Sequence, residues 1–132
     1  MSECLELTIL TPERKIFNGE VKELTTENDI GRLEILPKHI TMVTLLSPTV
    51  TSFTTLDGLK YKLFTSTGIL KVKNNEINLL CETAEWPEEI DINRAEEARK
   101  KAEKHLKNKA QLDYKKEELR LKRAVARIKA KD

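Results

Sequence analysis

The chain has 132 residues, with 24 Lys or Arg against 22 Asp or Glu, so its net charge is only +2 at neutral pH. This length suits one small domain plus an appendage. No apolar run approaches the ~20 residues that a membrane-spanning helix needs. The N-terminus lacks the basic start and long apolar stretch of a secretory signal. We therefore expect neither a membrane-spanning segment nor a cleaved leader in this sequence.

The cysteines and histidines are too few and too scattered for a metal cluster. Cys4 and Cys81 form no Cys-x-x-Cys pair, which predicts free thiols in a reducing compartment, with Cys81 facing a core. His39 falls in a predicted loop, and His105 falls in a Lys-rich helix, where we expect it to be solvated. The chain also has no Walker-type glycine loop and no evident general base. The sequence therefore predicts no metal-binding or catalytic residues.

The first two thirds of the sequence predict a β-domain over residues 1–86. Apolar residues alternate over 5–9, the period of a half-buried strand, and Thr11-Pro12-Glu13 ends that strand. The next predicted strand, 21–26, follows a predicted turn at Asn18-Gly19. Further strands are predicted at 33–35, 42–46, 50–55, 59–65, 69–72 and 77–81, with a tight turn at Asp57-Gly58. Short strands at this spacing indicate an antiparallel β-sandwich or flattened barrel.

The last third predicts a helical domain over residues 87–132. After Trp86-Pro87 no Gly or Pro occurs, and Asp91 is placed to cap a helix. Two apolar stripes follow at helical spacing: Ala95, Ala98, Ala102, Leu106 and Ala110 in the first, and Leu121, Ala124, Val125 and Ile128 in the second. The sequence is compatible with a two-helix hairpin turning near Asn108 or with extended helices. Because the first stripe is mostly Ala, burying it contributes only a few kcal/mol (~25 cal/mol per Å²).

Charge is distributed unevenly between the two regions. Residues 88–132 hold 15 Lys or Arg and 10 Asp or Glu, a net charge of +5, which leaves a net charge of −3 on the rest. A basic helical region suits an acidic partner, either a protein or a nucleic acid, although on charge alone a solvated helix face is the more common explanation. The net acidic β-domain, with few exposed aromatic residues expected for base stacking, argues against nucleic acid.

Four segments carry a resemblance that covers nearly the whole chain. Residues 10–12 read Leu-Thr-Pro, and residues 31–40 read GRLEILPKHI, similar to a GELGILPGHxP stretch. Residues 90–95 match the pattern I/L-D-x-x-R-A, and residues 121–127 resemble a basic final helix. In this order and length, the chain resembles the ε subunit of bacterial F-type rotary ATP synthases. It departs from that family's second stretch by having Glu34, Lys38 and Thr41 where Gly, Gly and Pro are usual.

The resemblance implies a set of nucleotide-binding residues: Glu85, Asp91, Arg94, Lys101, Arg123 and Arg127. Asp91 and Arg94 belong to the matched motif, and Glu85 stands where nucleotide-binding members place a carboxylate. Lys101 occupies the position of a family arginine, and a lysine lacks the bidentate fork of arginine. Arg99, nearby on the same helix, is a possible substitute. Judged from the motif alone, Asp91 and Arg94 also fit a local helix cap with an ion pair.

The resemblance also implies partner-binding residues. Arg32, Lys38 and His39 would lie at the end of the β-domain that faces the γ subunit and the c-ring, although an ordinary surface loop fits the sequence as well. Lys122, Arg123 and Arg127 would meet acidic segments of the α and β subunits when the helices are extended.

The function that the resemblance implies is that of a non-catalytic central-stalk subunit of a proton- or sodium-translocating ATP synthase. Its C-terminal helices would inhibit ATP hydrolysis, and ATP would be a regulatory ligand rather than a required cofactor. The chain would sit peripherally at the cytoplasmic face of the bacterial plasma membrane, attached only through the complex and without nucleic acid. The alternative is a nucleic-acid-binding adaptor with a β-domain and a basic helical arm.

Overall fold

The computed structural model describes residues 4–39, 41–107 and 114–132. The strands within these ranges are β1 (Leu5–Leu10), β2 (Lys15–Glu27), β3 (Arg32–Ile35), β4 (Met42–Leu46), β5 (Thr49–Thr55), β6 (Lys60–Thr65), β7 (Gly68–Lys73), β8 (Glu76–Cys81) and β9 (Ala84–Glu85). A 3-10 turn at Pro87–Glu89 leads to two helices, α1 (Ile92–Lys107) and α2 (Tyr114–Lys131). The predicted α+β fold, an N-terminal β-sandwich followed by two helices, is confirmed. The predicted turn near Asn108 and the stripe residue Ala110 lie outside the described residues.

The strands hydrogen-bond in the order β4-β7-β8-β1-β2-β5-β6-β9, with β3 also paired to β2. The long β2 joins the two halves of the sandwich, because it pairs with β1 through residues 15–21 and with β5 from Val21 onward. All pairs are antiparallel except β1 with β8, which is parallel. Alternating side chains from these strands fill one buried core, which includes Leu5, Leu7, Ile9, Leu63 and Leu79.

The predicted turn at Asn18-Gly19 is wrong. Both residues lie inside β2, where Asn18 pairs with Thr8 and Gly19 pairs with Leu7. The Asn18 amide donates to Thr8 Oγ1 at 2.8 Å, and a Cβ on Gly19 would lie 3.0 Å from the Phe17 ring. Cross-strand packing overrides the local turn preference here, and an aromatic ring covers the bare glycine. The chain reverses earlier, at the turn where Thr11 N–H donates to the Arg14 carbonyl at 3.0 Å.

The tight turn predicted at Asp57-Gly58 is present. Asp57-Gly58 joins β5 to β6, and Gly58 has a φ of 87°, the conformation that such a turn requires. Asn74 and Asn75 join β7 to β8 with φ values of 51° and 62°. The predicted orientation of Cys81 is also confirmed, because it is 3% exposed and burial raises the pKa of its thiol to about 12.

The helices pack as a compact pair on one side of the sandwich. The helix α1 packs on α2, and α2 contacts β5, β6 and the 3-10 turn. Small residues make the contact with the β-domain, since Ala126 and Ala130 are buried against Phe64 and Ile90. Lys131 Nζ adds a hydrogen bond to the Pro87 carbonyl at 2.8 Å. The structure is therefore the compact one of the two arrangements that the sequence allows.

Candidate functional site

An open cleft of about 570 Å³ runs between α1 and α2 and ends at the last strand of the β-domain. On the α1 side, the cleft is lined by three alanines, Ala95, Ala98 and Ala102. Their short side chains leave room between the helices. The cleft is lined by all six residues that the resemblance implied for a nucleotide site: Glu85, Asp91, Arg94, Lys101, Arg123 and Arg127.

The N-terminus of α1 shows how the matched motif is used in this structure. Asp91 Oδ1 accepts a hydrogen bond from the Arg94 N–H at 3.2 Å, so Asp91 is the N-cap of α1. The Arg94 guanidinium makes no hydrogen bond or ion pair with any residue in the described ranges. Asp91 and Arg94 therefore form a cap but not the side-chain ion pair that the motif alone also allowed.

Arg127 is held in place at the β-domain end of the cleft. Its Nε donates to Glu85 Oε1 at 2.8 Å, and its guanidinium carbon lies 4.5 Å from the centre of the Phe64 ring. Both the ion pair and the cation–π contact restrict the side chain. Because Glu85 belongs to β9 and Arg127 to α2, this contact also joins the helices to the β-domain.

Lys101, and not Arg99, faces the cleft. Arg99 forms ion pairs within α1, at 2.8 Å with Glu96 and 3.7 Å with Glu103. It does not line the cleft, so the structure gives no support to Arg99 as a substitute for the missing family arginine. Neighbouring positions on a helix point in different directions, so proximity in sequence does not place both side chains in one cleft.

The far end of the cleft holds a charged cluster that the sequence did not reveal. Glu117 is only 8% exposed; its Oε1 accepts from Arg120 Nη1 at 2.6 Å, and its Oε2 lies 3.2 Å from His105 Nδ1. His105 therefore contacts α2 across the helix pair. The expectation that His105 is solvated is wrong. The Glu117–Arg120 spacing of three was visible in the sequence, but the contact with His105 depends on how α1 and α2 align. Since His105 is near the end of α1 and Glu117 near the start of α2, the helices run antiparallel.

The electrostatic balance of the cleft favours an anion. The acidic lining residues are already engaged: Glu85 by Arg127, Glu117 by Arg120 and His105, Asp91 as a cap, and Glu89 by Arg14. Three cationic side chains have no partner among the described residues, namely Arg94, Lys101 and Arg123. No group of His, Cys, Asp or Glu suited to a metal ion occurs in the described ranges.

The base of the helical region is anchored to the β-domain by Glu89. Arg14 Nη2, in the turn between β1 and β2, donates to Glu89 Oε1 at 2.8 Å. The Trp86 N–H donates to the same oxygen at 2.9 Å. These hydrogen bonds, that from Arg14 first, lower the pKa of Glu89 below its ordinary value, and the same pair raises the pKa of Arg14. Because Glu89 precedes α1 by only three residues, the anchor fixes where that helix begins.

The residues expected to bind partners lie in three places. Arg32 and Lys122 line a groove between the turn before β3 and the outer side of α2. Lys38 and His39 lie in the loop after β3, where Lys38 N–H donates to Asn75 Oδ1 at 2.7 Å. Arg123 and Arg127 line the cleft and do not point outward to where a partner subunit would bind. In the compact arrangement these two arginines are therefore oriented toward the space between the helices.

Two family models together match nearly all of the chain. Residues 4–87 match the β-sandwich domain of the ATP synthase delta/epsilon chain, and residues 88–132 match its long α-helix domain. The chain belongs to the ATP synthase delta/epsilon chain family. The sequence-based resemblance is thereby confirmed, and with it the expectation of a non-catalytic subunit rather than an enzyme.

Family members named ATP synthase epsilon chain are similar over their full length. One from Clostridium kluyveri is 49% identical over 128 residues, which is 97% of each chain. One from Clostridium botulinum is 51% identical over 132 residues, which is 100% of this chain and 99% of that one.

The family fold is also found in solved structures. One match is to a chain in the Euglena gracilis mitochondrial ATP synthase, OSCP/F1/c-ring, with a TM-score of 0.84, 20% identity and coverage of 96% of this chain and 80% of that one. Another is to a chain in the Tetrahymena thermophila mitochondrial ATP synthase, central stalk/c-ring, with a TM-score of 0.63, 17% identity and coverage of 97% and 96%. In the described part of this chain, neither helix has the length and apolar character that crossing a membrane requires.

Proposed function

We propose that this chain is a central-stalk subunit of a proton- or sodium-translocating F-type ATP synthase, which links the catalytic head to the c-ring. Its partners are the γ subunit, the c-ring, and the α and β subunits. The β-domain, residues 1–86, docks on the rotor, and the helical domain, residues 87–132, regulates ATP hydrolysis. The complex holds the chain peripherally at the cytoplasmic face of the bacterial plasma membrane. Support comes from the family match and from the assemblies in which the similar chains were solved.

ATP is the regulatory ligand in this proposal. The observation that carries it is the arrangement of Arg94, Lys101 and Arg123, three unpaired cations that face one another across an antiparallel helix pair. A triphosphate placed between them neutralises repulsion that otherwise opposes closure, and charge-assisted hydrogen bonds to its oxygens are among the strongest in proteins. The phosphates bridge α1 and α2, so the bound ligand favours the compact arrangement.

The helix pair is weakly enough held for such a ligand to control it. Alanine side chains make most of the buried contact between α2 and the β-domain, and few methyl groups contribute only a few kcal/mol (~25 cal/mol per Å²). A ligand shifts the equilibrium between compact and extended forms by its differential affinity for the two. In the extended form Arg123 and Arg127 are released from the cleft and meet acidic segments of the catalytic subunits.

The alternative, a nucleic-acid-binding adaptor, has no supporting feature in the described residues. Arg123 and Arg127 converge inside the cleft and do not form an exposed basic groove of the kind that follows a nucleic-acid backbone. Family membership favours the ATP synthase subunit.

Calorimetric titration of the isolated full-length chain with ATP tests the ligand. We expect binding by the wild type and a loss of about tenfold or more in affinity for Arg94→Ala, because a charge-assisted contact is removed. Arg99→Ala is the matched control, since this arginine is on the same helix but outside the cleft, and its affinity should stay within about twofold. Labels at Ala98 and Val125 should show the helices closing as ATP is added. If saturating ATP gives neither heat nor closure, the role of Asp91 is limited to capping α1.

Hydrolysis by the assembled complex tests the regulatory role. A chain truncated after Trp86 should give faster ATP hydrolysis than the full-length chain, since the inhibitory helices are gone. Charge reversal of Arg123 and Arg127 to Glu should have the same effect by repelling the acidic partner surface. Equal rates in complexes of verified composition would reduce the helices to a structural accessory.

A further inference from the structure

We infer that Arg120 is a further phosphate-binding residue of the cleft, held by Glu117 while no ligand is bound. This inference deepens the proposed function and rests on it. None of the matched sequence motifs includes Arg120, Glu117 or His105. The packing of α1 on α2 brings these three residues together.

Arg120 continues the row of arginines along α2. Arg120, Arg123 and Arg127 are spaced by three and four residues, and all three line the cleft. Arg94 and Lys101 form the facing row on α1. The end residues of each row are seven positions apart, or about 10 Å along the helix at 1.5 Å per residue. The two rows therefore form a corridor of positive charge rather than a single contact point.

At position 101 this corridor has the ammonium group of a lysine instead of the guanidinium of the family arginine. A lysine cannot bind two phosphate oxygens side by side as an arginine does. Arg99 is committed to Glu96 and Glu103 and points elsewhere. On the α2 side at the far end of the cleft, Arg120 is the arginine that the described residues provide. It is 46% exposed at its side chain, so it is free to turn toward a ligand.

The charges at the two ends set the orientation of the ligand. Glu85, Glu89 and Asp91 gather at the β-domain end. Each of these three carboxylates has a partner, but they face one carboxylate, Glu117, at the other end, so the most anionic part of a nucleotide is repelled less at the end away from them. That direction leads toward Lys101 and Arg120, and the terminal phosphate is the group that Arg120 meets.

Glu117 has two partners, and this allows the exchange. Its Oε1 accepts from Arg120 at 2.6 Å and its Oε2 lies 3.2 Å from His105 Nδ1. When Arg120 binds a phosphate, the Glu117 carboxylate retains its contact with His105. His105–Glu117 is a side-chain polar contact that joins α1 to α2. Ligand binding thus uses Arg120 without giving up the contact between the helices.

Competition of ATP and ADP against a fluorescent ATP analogue tests the inference on the full-length chain. Arg120→Ala should weaken ATP binding by about tenfold or more, the effect of a lost charge-assisted contact. ADP, which lacks the terminal phosphate, should change by no more than about twofold. Lys122→Ala is the matched control because it removes one positive charge from the same turn of α2 but lies outside the cleft. It should leave both affinities unchanged.

A double variant separates direct contact from loosened packing. Arg120→Ala leaves the buried Glu117 with one partner fewer, which could weaken the helix pair and reduce the affinity for both nucleotides equally. Arg120→Ala combined with Glu117→Ala removes the stranded carboxylate. Loss of the preference for ATP over ADP in both variants supports the inference. Equal losses for ATP and ADP, or unchanged affinities, overturn it while leaving the proposed function intact. A wild-type chain that binds neither nucleotide overturns the proposal that ATP is the regulatory ligand.

Discussion

Gly68 begins β7 at a point where the backbone of β8 comes very close. A Cβ at this position would lie 2.2 Å from the Leu80 carbonyl oxygen and 2.9 Å from Cys81 Cα. Backbone atoms in a paired strand cannot yield as a side-chain tip can. We therefore expect Gly68→Ala to lower the free energy of unfolding by about 1–3 kcal/mol, the usual cost of overpacking.

Gly31→Ala is the matched control, because a Cβ there meets nothing within 4 Å and the residue has no positive φ. Its change in the free energy of unfolding should stay within about 0.5 kcal/mol, as for other surface substitutions. Urea unfolding of the three proteins measures both values. Similar stabilities for Gly68→Ala and Gly31→Ala would show that β7 and β8 can separate without cost.

The anchor between Glu89 and Arg14 predicts a pH dependence. Since these hydrogen bonds lower the pKa of Glu89, the folded state holds its proton less tightly than the unfolded state does. The stabilisation is therefore present above the ordinary glutamate pKa of about 4.3 and is lost as the pH falls through the lowered value. Glu89→Gln should destabilise the chain at pH 7 by at most about 1 kcal/mol, because the pair is largely exposed.

At about pH 3 the difference between Glu89→Gln and the wild type should shrink toward zero. Urea unfolding at both pH values checks this. Glu88→Gln serves as control, since this neighbouring carboxylate has no partner among the described residues. A constant difference for Glu89→Gln at both pH values would mean that the glutamine disturbs packing rather than an ionised contact.

Individual site residues were predictable only where a motif names them. Asp91 and Arg94 followed from a short pattern at a helix start, and the cap confirms the local structure that the pattern indicates. Arg120 and Glu117 form an ordinary i,i+3 pair in the sequence, of a kind found on many solvated helices. Their place in the cleft depends on the alignment of α1 with α2, which no local spacing specifies.

At the level of elements, strands with regular alternation were predicted well and irregular ones were not. The two-residue strand β9 is too short to carry a period, so Ala84 and Glu85 gave no signal. The parallel pairing of β1 with β8 joins segments about seventy residues apart, and only the assembled sheet determines it. Asn18-Gly19 has a strong turn preference, but its pairing with β1 stabilises a continuous strand instead.

The docking of α2 on the β-domain depends on small side chains. Ala130 is fully buried against Phe64 and Ile90. A carboxylate buried there without a partner costs more than the few kcal/mol that this contact provides. Ala130→Glu should therefore undock α2 and leave the β-domain folded.

Hydrogen exchange read by mass spectrometry checks this prediction. Amides of α2 should exchange faster in Ala130→Glu, since an isolated helix of this length is only marginally stable. Amides of β5 and β6 should exchange as in the wild type. Lys129→Gln makes the same change in net charge at an exposed neighbour and should leave α2 protected. Unchanged protection of α2 in Ala130→Glu would mean that contacts with α1 alone hold it in place.

The buried apolar residues of the molecule form two clusters, one within the β-domain and one between the β-domain and α2. The large cluster is formed by residues from Leu5 to Ala84, with Trp86 packed against it, and includes no residue of α1 or α2. The small cluster joins Phe64 and Ile90 to Ala126 and Ala130. The core of the β-domain therefore forms without side chains from α1 or α2, whereas α2 buries its alanines against Phe64 of the β-domain.

This division predicts that a chain ending at Trp86 folds. Truncation keeps the large cluster complete and exposes Phe64, whose ring packs against α2 in the full chain. It also removes Glu89, so Arg14 loses a partner that contributes at most about 1 kcal/mol as an exposed pair. We expect strand-type circular dichroism and a cooperative urea transition, with a smaller m-value because less surface is exposed on unfolding. A matched chain ending at Lys107 retains Glu89 and α1 without α2. Its free energy of unfolding should exceed that of the shorter chain by no more than the ~1 kcal/mol of the Arg14–Glu89 pair, since α1 packs mainly on α2. A truncated chain without a cooperative transition would show that the two clusters form one folding unit.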